Sequence, residues 1–200
     1  MIKKIYLITI ISLLFSCSER NDLLTEKYWT KYKKNQPNSI VKFTSDGKFI
    51  NYNKLEKNYT YKIIQNRLII TDTKGEIKKY FIKSLSNKEL KLTEIIEVGD
   101  PQIDYYKQAQ IQDFFLGQWI HYKNNSLYIY IFTGDTFVTI DESKENITQQ
   151  KKLKYNVKND STIQIGSQKF KYKFENDLKK LILMTPNNET LTLIRKQINQ

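Results

Sequence analysis

The chain has 200 residues, with 33 Lys and Arg against 21 Asp and Glu, for a formal net charge of +12. An apolar share of 40% is enough for a core and excludes wholesale disorder. A lone cysteine excludes an internal disulfide framework and a cysteine-based zinc finger, and a lone histidine argues against a His-rich metal site or a catalytic triad.

Lys3 and Lys4 precede an apolar run, Ile5 to Phe15, broken only by Thr9 and Ser12. A bilayer span takes about 20 apolar residues, so this shorter run reads as a secretory signal. It ends in Leu14-Phe15-Ser16-Cys17, which resembles the bacterial lipobox. In that family the cysteine thiol receives a diacylglyceryl group and the chain is cut just before it. The resemblance implies a lipoprotein signal peptide over 1–16, lipid attachment at Cys17 with acyl chains such as palmitate, and a tether over 17–24. Each buried methylene adds about 0.8 kcal/mol, so several chains on one residue hold a protein firmly at a membrane. Ser18 after the cysteine implies, by the sorting rule of enteric bacteria, the outer membrane, with the periplasmic or external face left open.

Loss of Lys3 and Lys4 leaves 31 basic and 21 acidic residues, a mature net charge of +10. Such a protein sits close to anionic head groups or lipopolysaccharide phosphates. Export argues against nucleic acid as its partner.

After the tether the chain repeats itself. Trp29 lies fourteen residues before Phe43, and Trp119 thirteen before Phe132. The two phenylalanines open Phe43-Thr44-Ser45-Asp46-Gly47-Lys48-Phe49 and Phe132-Thr133-Gly134-Asp135-Thr136-Phe137, each a strand, a tight polar turn and a second strand. Tyr59 to Ile63 matches Leu153 to Val157, Leu68 to Ile70 matches Ile163 to Ile165, and Leu90 to Leu92 matches Leu181 to Leu183. Asp104 to Lys107 and Leu193 to Lys196 close the copies.

Within each copy the apolar period is two. Phe170, Tyr172 and Phe174 alternate with lysines, as Tyr59, Tyr61 and Ile63 do around Lys62. Turn-bounded runs number seven or eight per copy, which predicts an all-β chain of antiparallel meanders closing into barrels or sandwiches. Only two stretches look helical, a short turn from Asn21 and Asp22 to Glu26 and a segment over Gln108 to Leu116 with Ile111, Phe114 and Phe115 at helical spacing. Each precedes its copy's tryptophan.

Gly117-Gln118-Trp119, opening a strand after a short helical stretch, resembles the Gly-x-Trp signature of lipocalins. The first copy keeps Trp29 but has Lys27 in place of the glycine. The order Trp, Phe-Thr-x-Asp-Gly-x-Phe, Tyr-x-Ile and Leu-x-Leu also resembles the short lipocalin-like domains of Bacteroidota lipoproteins. The resemblance implies two tandem small up-and-down barrels, over 25–107 and 119–200 with a linker or short helix at 108–118. About eighty residues per copy is half of a full lipocalin, so the interiors are expected to be filled by Tyr, Phe and Ile side chains.

No catalytic, cofactor-binding or metal-binding group stands out. His121 shares the face of Trp119 and reads as a half-buried structural residue. Asp141 and Glu142 read as solvated carboxylates of a polar connection, and Asp46 and Asp135 as turn residues bonding their own backbone. Leu127 to Phe132, apolar on both faces, is expected either buried on both sides where the copies meet or at an open sheet edge. The sequence thus predicts a non-catalytic envelope protein that binds a small hydrophobic ligand or an envelope component. The alternative is an inhibitor or immunity-type lipoprotein holding an acidic protein partner, a hydrolase or a toxin.

Overall fold

In the computed structural model, residues 22–25, 27–34, 36–54, 58–144 and 147–196 are described. The signal segment, Cys17 and Ser18 lie outside them. The chain is all-β and forms two tandem antiparallel eight-stranded closed barrels. The first comprises β1 (Tyr28–Lys33), β2 (Gln36–Phe43), β3 (Lys48–Asn51), β4 (Tyr59–Ile64), β5 (Arg67–Asp72), β6 (Ile77–Leu85), β7 (Glu89–Glu94) and β8 (Ile103–Gln108). The second comprises β9 (Gly117–Lys123), β10 (Ser126–Phe132), β11 (Phe137–Lys144), β12 (Ile147–Asn159), β13 (Thr162–Ile165), β14 (Gln168–Glu175), β15 (Lys180–Met184) and β16 (Thr190–Arg195). Both are meanders, with each strand beside its neighbour in sequence, and β16 closes on β9 through Ile194 opposite Ile120 and Arg195 opposite Trp119. Closure leaves no sheet edge.

Backbone contacts divide the chain into two compact units.

The period of two decides what each barrel encloses. In the first, Leu68 faces Tyr80, Ile82 faces Leu92 and Leu90 faces Tyr106 across adjacent strands, and all six are buried. In the second, Tyr155 faces Ile165, Ile163 faces Phe170, Tyr172 faces Leu183 and Leu181 faces Leu193. Each such Leu or Ile gains about 1.5–3 kcal/mol by leaving water.

The copies match in their hydrogen bonds as well as in their residues. In the turn after β2, Thr44 N–H donates to Lys48 O at 2.9 Å, and Tyr61 OH reaches back to Thr44 O at 2.9 Å. In the turn after β10, Thr133 N–H donates to Phe137 O at 2.9 Å, and Tyr155 OH reaches Thr133 O at 3.1 Å. The turn carboxylates do more than bond their own backbone, since Asp46 and Asp135 each accept from the threonine hydroxyl two residues earlier.

Three expectations need correction. The helical segment before Trp119 is a single 3-10 turn, Ile111–Phe115, whereas of the earlier short turn residues 22–24 are helical and Asn21 and Glu26 lie outside the described residues. Strand β10 is not an edge, because β9 and β11 pair with it on both sides, and Leu127 to Ile131 are half-buried rather than enclosed. Asp141 and Glu142 belong to β11, which runs on past Ile140 because Gln149, Gln150 and Lys151 continue the pairing.

Candidate binding site at the open end of the second barrel

The two ends of the second barrel are built differently. At one end the 3-10 turn drops Phe115 into the barrel, where its ring lies 4.9 Å from Tyr172, 5.0 Å from Phe174 and 5.6 Å from Phe132. Trp119, fully buried, donates its indole N–H to Phe115 O at 2.7 Å. Trp29 repeats the device in the first barrel, donating to Leu24 O at 2.9 Å from full burial. Gly117 opens β9 with a φ of +112°, and a Cβ there would lie 3.1 Å from Arg195 Nη1. The left-handed φ therefore favours glycine, and any side chain would press on the guanidinium. In the first copy Lys27 donates to Asn87 Oδ1 at 2.8 Å.

Arg195 completes this end and was not singled out in the sequence. Its guanidinium is only 3% exposed, lies 4.1 Å from the Trp119 ring centroid, and donates to Leu178 O, Leu116 O and Phe114 O at 3.0, 2.6 and 2.7 Å. Burial pulls its pKa down to about 9, still above neutrality, so the group stays charged. The three carbonyls tie the last strand to the 3-10 turn and to the β14–β15 connection. This end is closed by aromatic rings and a guanidinium bonded to three carbonyls.

The other end is polar and open. Strand alternation places His121, Tyr128, Tyr130 and Glu142 on the same inner face as Trp119 and Phe132. His121 is half-buried, as its face predicts, with Nδ1 2.9 Å from Thr192 O and its ring 6.0 Å from that of Tyr128. A carbonyl only accepts, so Nδ1 carries the hydrogen, while Nε2 is buried with no hydrogen-bond partner among the described residues. Tyr128 OH donates to Glu142 Oε1 at 2.8 Å. Burial pushes the Tyr130 phenol up to about 12, with the Tyr128 and Glu142 charges adding to it.

At this open end the β13–β14 and β15–β16 connections form a cleft of about 480 Å³. Phe170 and Pro186 give it an apolar part. Gln168, Lys169, Thr185 and Glu189 surround these with donors and acceptors. The first barrel's interior carries its own polar cluster: Tyr106 OH lies 3.4 Å from Asp104 Oδ2, both groups are buried, and burial raises the Tyr106 and Tyr80 phenols well above their ordinary range.

Among the described residues no group of three His, Cys, Asp or Glu side chains is placed to hold a metal ion, and no helix is long and apolar enough to cross a membrane. The sequence singled out Gly117, Trp119 and Trp29, which lie at the closed ends. The cleft went unnoticed because its residues are ordinary turn residues, assembled from two hairpins. Comparison with protein-family models, with curated proteins and with solved structures finds no match to this chain.

Proposed function

We propose that this chain is a non-catalytic, lipid-anchored envelope protein of the lipocalin-like Bacteroidota kind, which takes a small ligand with an apolar portion at the open end of its second barrel. The observation that carries this reading is the cleft between the two hairpins. Its volume of about 480 Å³ falls within the range of small-molecule sites, and an apolar floor with a few polar groups is their usual lining. The interior below is filled by packed rings, which favours a ligand seated at the mouth over one swallowed by the barrel. Envelope location and the anchor at Cys17 rest on the lipobox resemblance.

The test is native mass spectrometry of residues 18–200, purified without detergent from the bacterial envelope. A reproducible added mass that vanishes on denaturation, and that Ser167→Trp abolishes by filling the cleft, is the expected result. A bare mass together with no thermal shift from lipid extracts of the same envelope overturns the reading.

A second reading, an inhibitor or immunity-type lipoprotein acting on a hydrolase or toxin, is favoured by one feature of the first barrel. The connection after β7 exposes Ile95, Ile96 and Val98, the last 91% exposed. Apolar side chains at a loop tip are an anchor for a protein partner. A hydrolase held by the unaltered chain but not by Val98→Asp would establish it.

A further inference from the structure

The outer face of β4–β8 combines positive charge with exposed apolar side chains. The inner face of these strands is fixed by Leu68, Ile70, Tyr80, Ile82, Leu90 and Leu92, so the alternate residues point outward. Lys62, Arg67, Lys79, Lys91 and Lys107 are exposed on that outer face, and Glu89 is the one outward acid in these strands. Even that carboxylate is occupied, since it accepts from Tyr105 OH at 2.6 Å.

Among these cations stand Ile64, Ile77, Phe81 and Ile103, 47%, 58%, 42% and 63% exposed. The registers interleave the two kinds. Lys62 faces Ile69, which faces Lys79, while Arg67 faces Phe81, which faces Thr93, which faces Ile103. The Lys91 and Lys107 ammonium groups each sit over the Tyr105 ring, 5.7 Å from its centroid. A solvated face has no use for four exposed large hydrophobics. A purely polyanionic partner would reward the charges and not the isoleucines.

We infer that this face docks on the surface of an anionic lipid bilayer, its lysines and arginine at the head-group charges and its Ile and Phe side chains in the interfacial layer. The inference rests on the envelope reading for its choice of lipid. It does not depend on the cleft, whose mass-spectrometric test can fail alone.

The test is sedimentation of the full chain with vesicles of phosphatidylcholine, and of phosphatidylcholine with about one-third phosphatidylglycerol, near physiological salt. An acyl group or apolar leader inserts into both, so the ratio of the two affinities isolates the charged face. The unaltered chain is expected to prefer the anionic vesicles by about tenfold or more. Lys79→Glu with Lys91→Glu brings the ratio close to one, while Phe81→Ser weakens binding to the anionic vesicles. Lys152→Glu with Lys171→Glu, in the second barrel, leaves the ratio in place, and circular dichroism confirms that each variant is folded. A ratio near one for the unaltered chain overturns the proposal. So does an equal loss from both lysine pairs, which would mean diffuse charge, or face-dependent binding to an acidic protein with none to the vesicles.

Discussion

The Arg195 guanidinium lies 4.1 Å from the Trp119 ring centroid, on residues that face each other directly across the β16–β9 closure. The pair joins the first and last strands of the second barrel at the point where the meander must meet itself. Cation and indole attract, and three carbonyl acceptors engage one N–H of each guanidinium nitrogen of a charge held at 3% exposure. Arg195→Leu fills similar space but strands the carbonyls of Leu178, Leu116 and Phe114. Leaving buried acceptors unpaired costs about 1–3 kcal/mol each, so a loss of at least about 3 kcal/mol in urea unfolding is expected. Arg195→Lys keeps the charge without the planar fork and recovers only part of that loss. A change under about 1 kcal/mol for Arg195→Leu would show that the closure does not depend on this residue.

The paired turns give a second prediction, because they solve one backbone problem with different residues. Gly47 has a φ of +82°, and its counterpart Thr136 has a φ of +63°. Each stands three residues after its Thr44 or Thr133 partner, with N–H to O distances of 3.1 and 3.2 Å. The left-handed region costs an L-residue about 1–2 kcal/mol, and a β-branched side chain suffers most. Thr136→Gly is therefore expected to stabilise the chain by about 0.5–1 kcal/mol once the freer unfolded backbone is counted. Gly47→Thr should destabilise it by a similar or larger amount. Chemical denaturation of the two variants beside the unaltered chain measures both signs.

These two cases also show what the sequence could and could not disclose. The all-β meander of seven or eight strands per copy was legible because a period of two, with Phe-Thr and Asp at the turns, is a local signal repeated twice. Trp29 and Trp119 were legible for the same reason. Arg195 was not, because its partners Leu116 and Leu178 lie 79 and 17 residues away and one more cation in a lysine-rich chain reads as solvated. A faint signal existed: alternation from Leu191 and Leu193 carries Arg195 to the inner face of β16. Glu142 was misread for a related reason, since only its pairing with Gln149 extends β11 beyond Ile140. The cleft had no local signal at all, being formed where Gln168 and Glu189 come together from separate hairpins.

Cys17 carries a third prediction, drawn from its sequence context alone. Cells fed labelled palmitate are expected to incorporate it into the chain, and the mature protein to fractionate with membranes. Cys17→Ser abolishes labelling and leaves the uncut signal segment in place, visible as a higher mass. Labelling that survives the substitution would exclude Cys17 as the anchor, since the chain has only the one cysteine.

Alkaline stability tests the tyrosine-filled interiors. Tyr80, Tyr106, Tyr130 and Tyr155 are held in the protonated form by burial, first of all, and by neighbouring carboxylates or phenols. In the unfolded chain each loses its proton near pH 10, whereas Tyr130 in the fold holds it to about 12 and the other three hold theirs well above the ordinary range. Above about pH 10 the folded state thus binds more protons than the unfolded one, and by linkage its stability falls as pH rises. Each retained proton contributes a slope of about 1.4 kcal/mol per pH unit. The stabilisation is fully present below about pH 10 and is lost progressively as pH climbs through the folded values. Urea midpoints should therefore hold nearly level from about pH 7 to 9 and drop steeply by about pH 11. The part of the tyrosinate absorbance that Tyr130→Phe removes should appear together with unfolding rather than before it. Tyr130→Phe removes one contribution and shallows the alkaline slope without changing its onset. If the tyrosinate signal that Tyr130→Phe removes develops near pH 10 in a chain still folded, water reaches that phenol and the interior is more open than the ring packing shows.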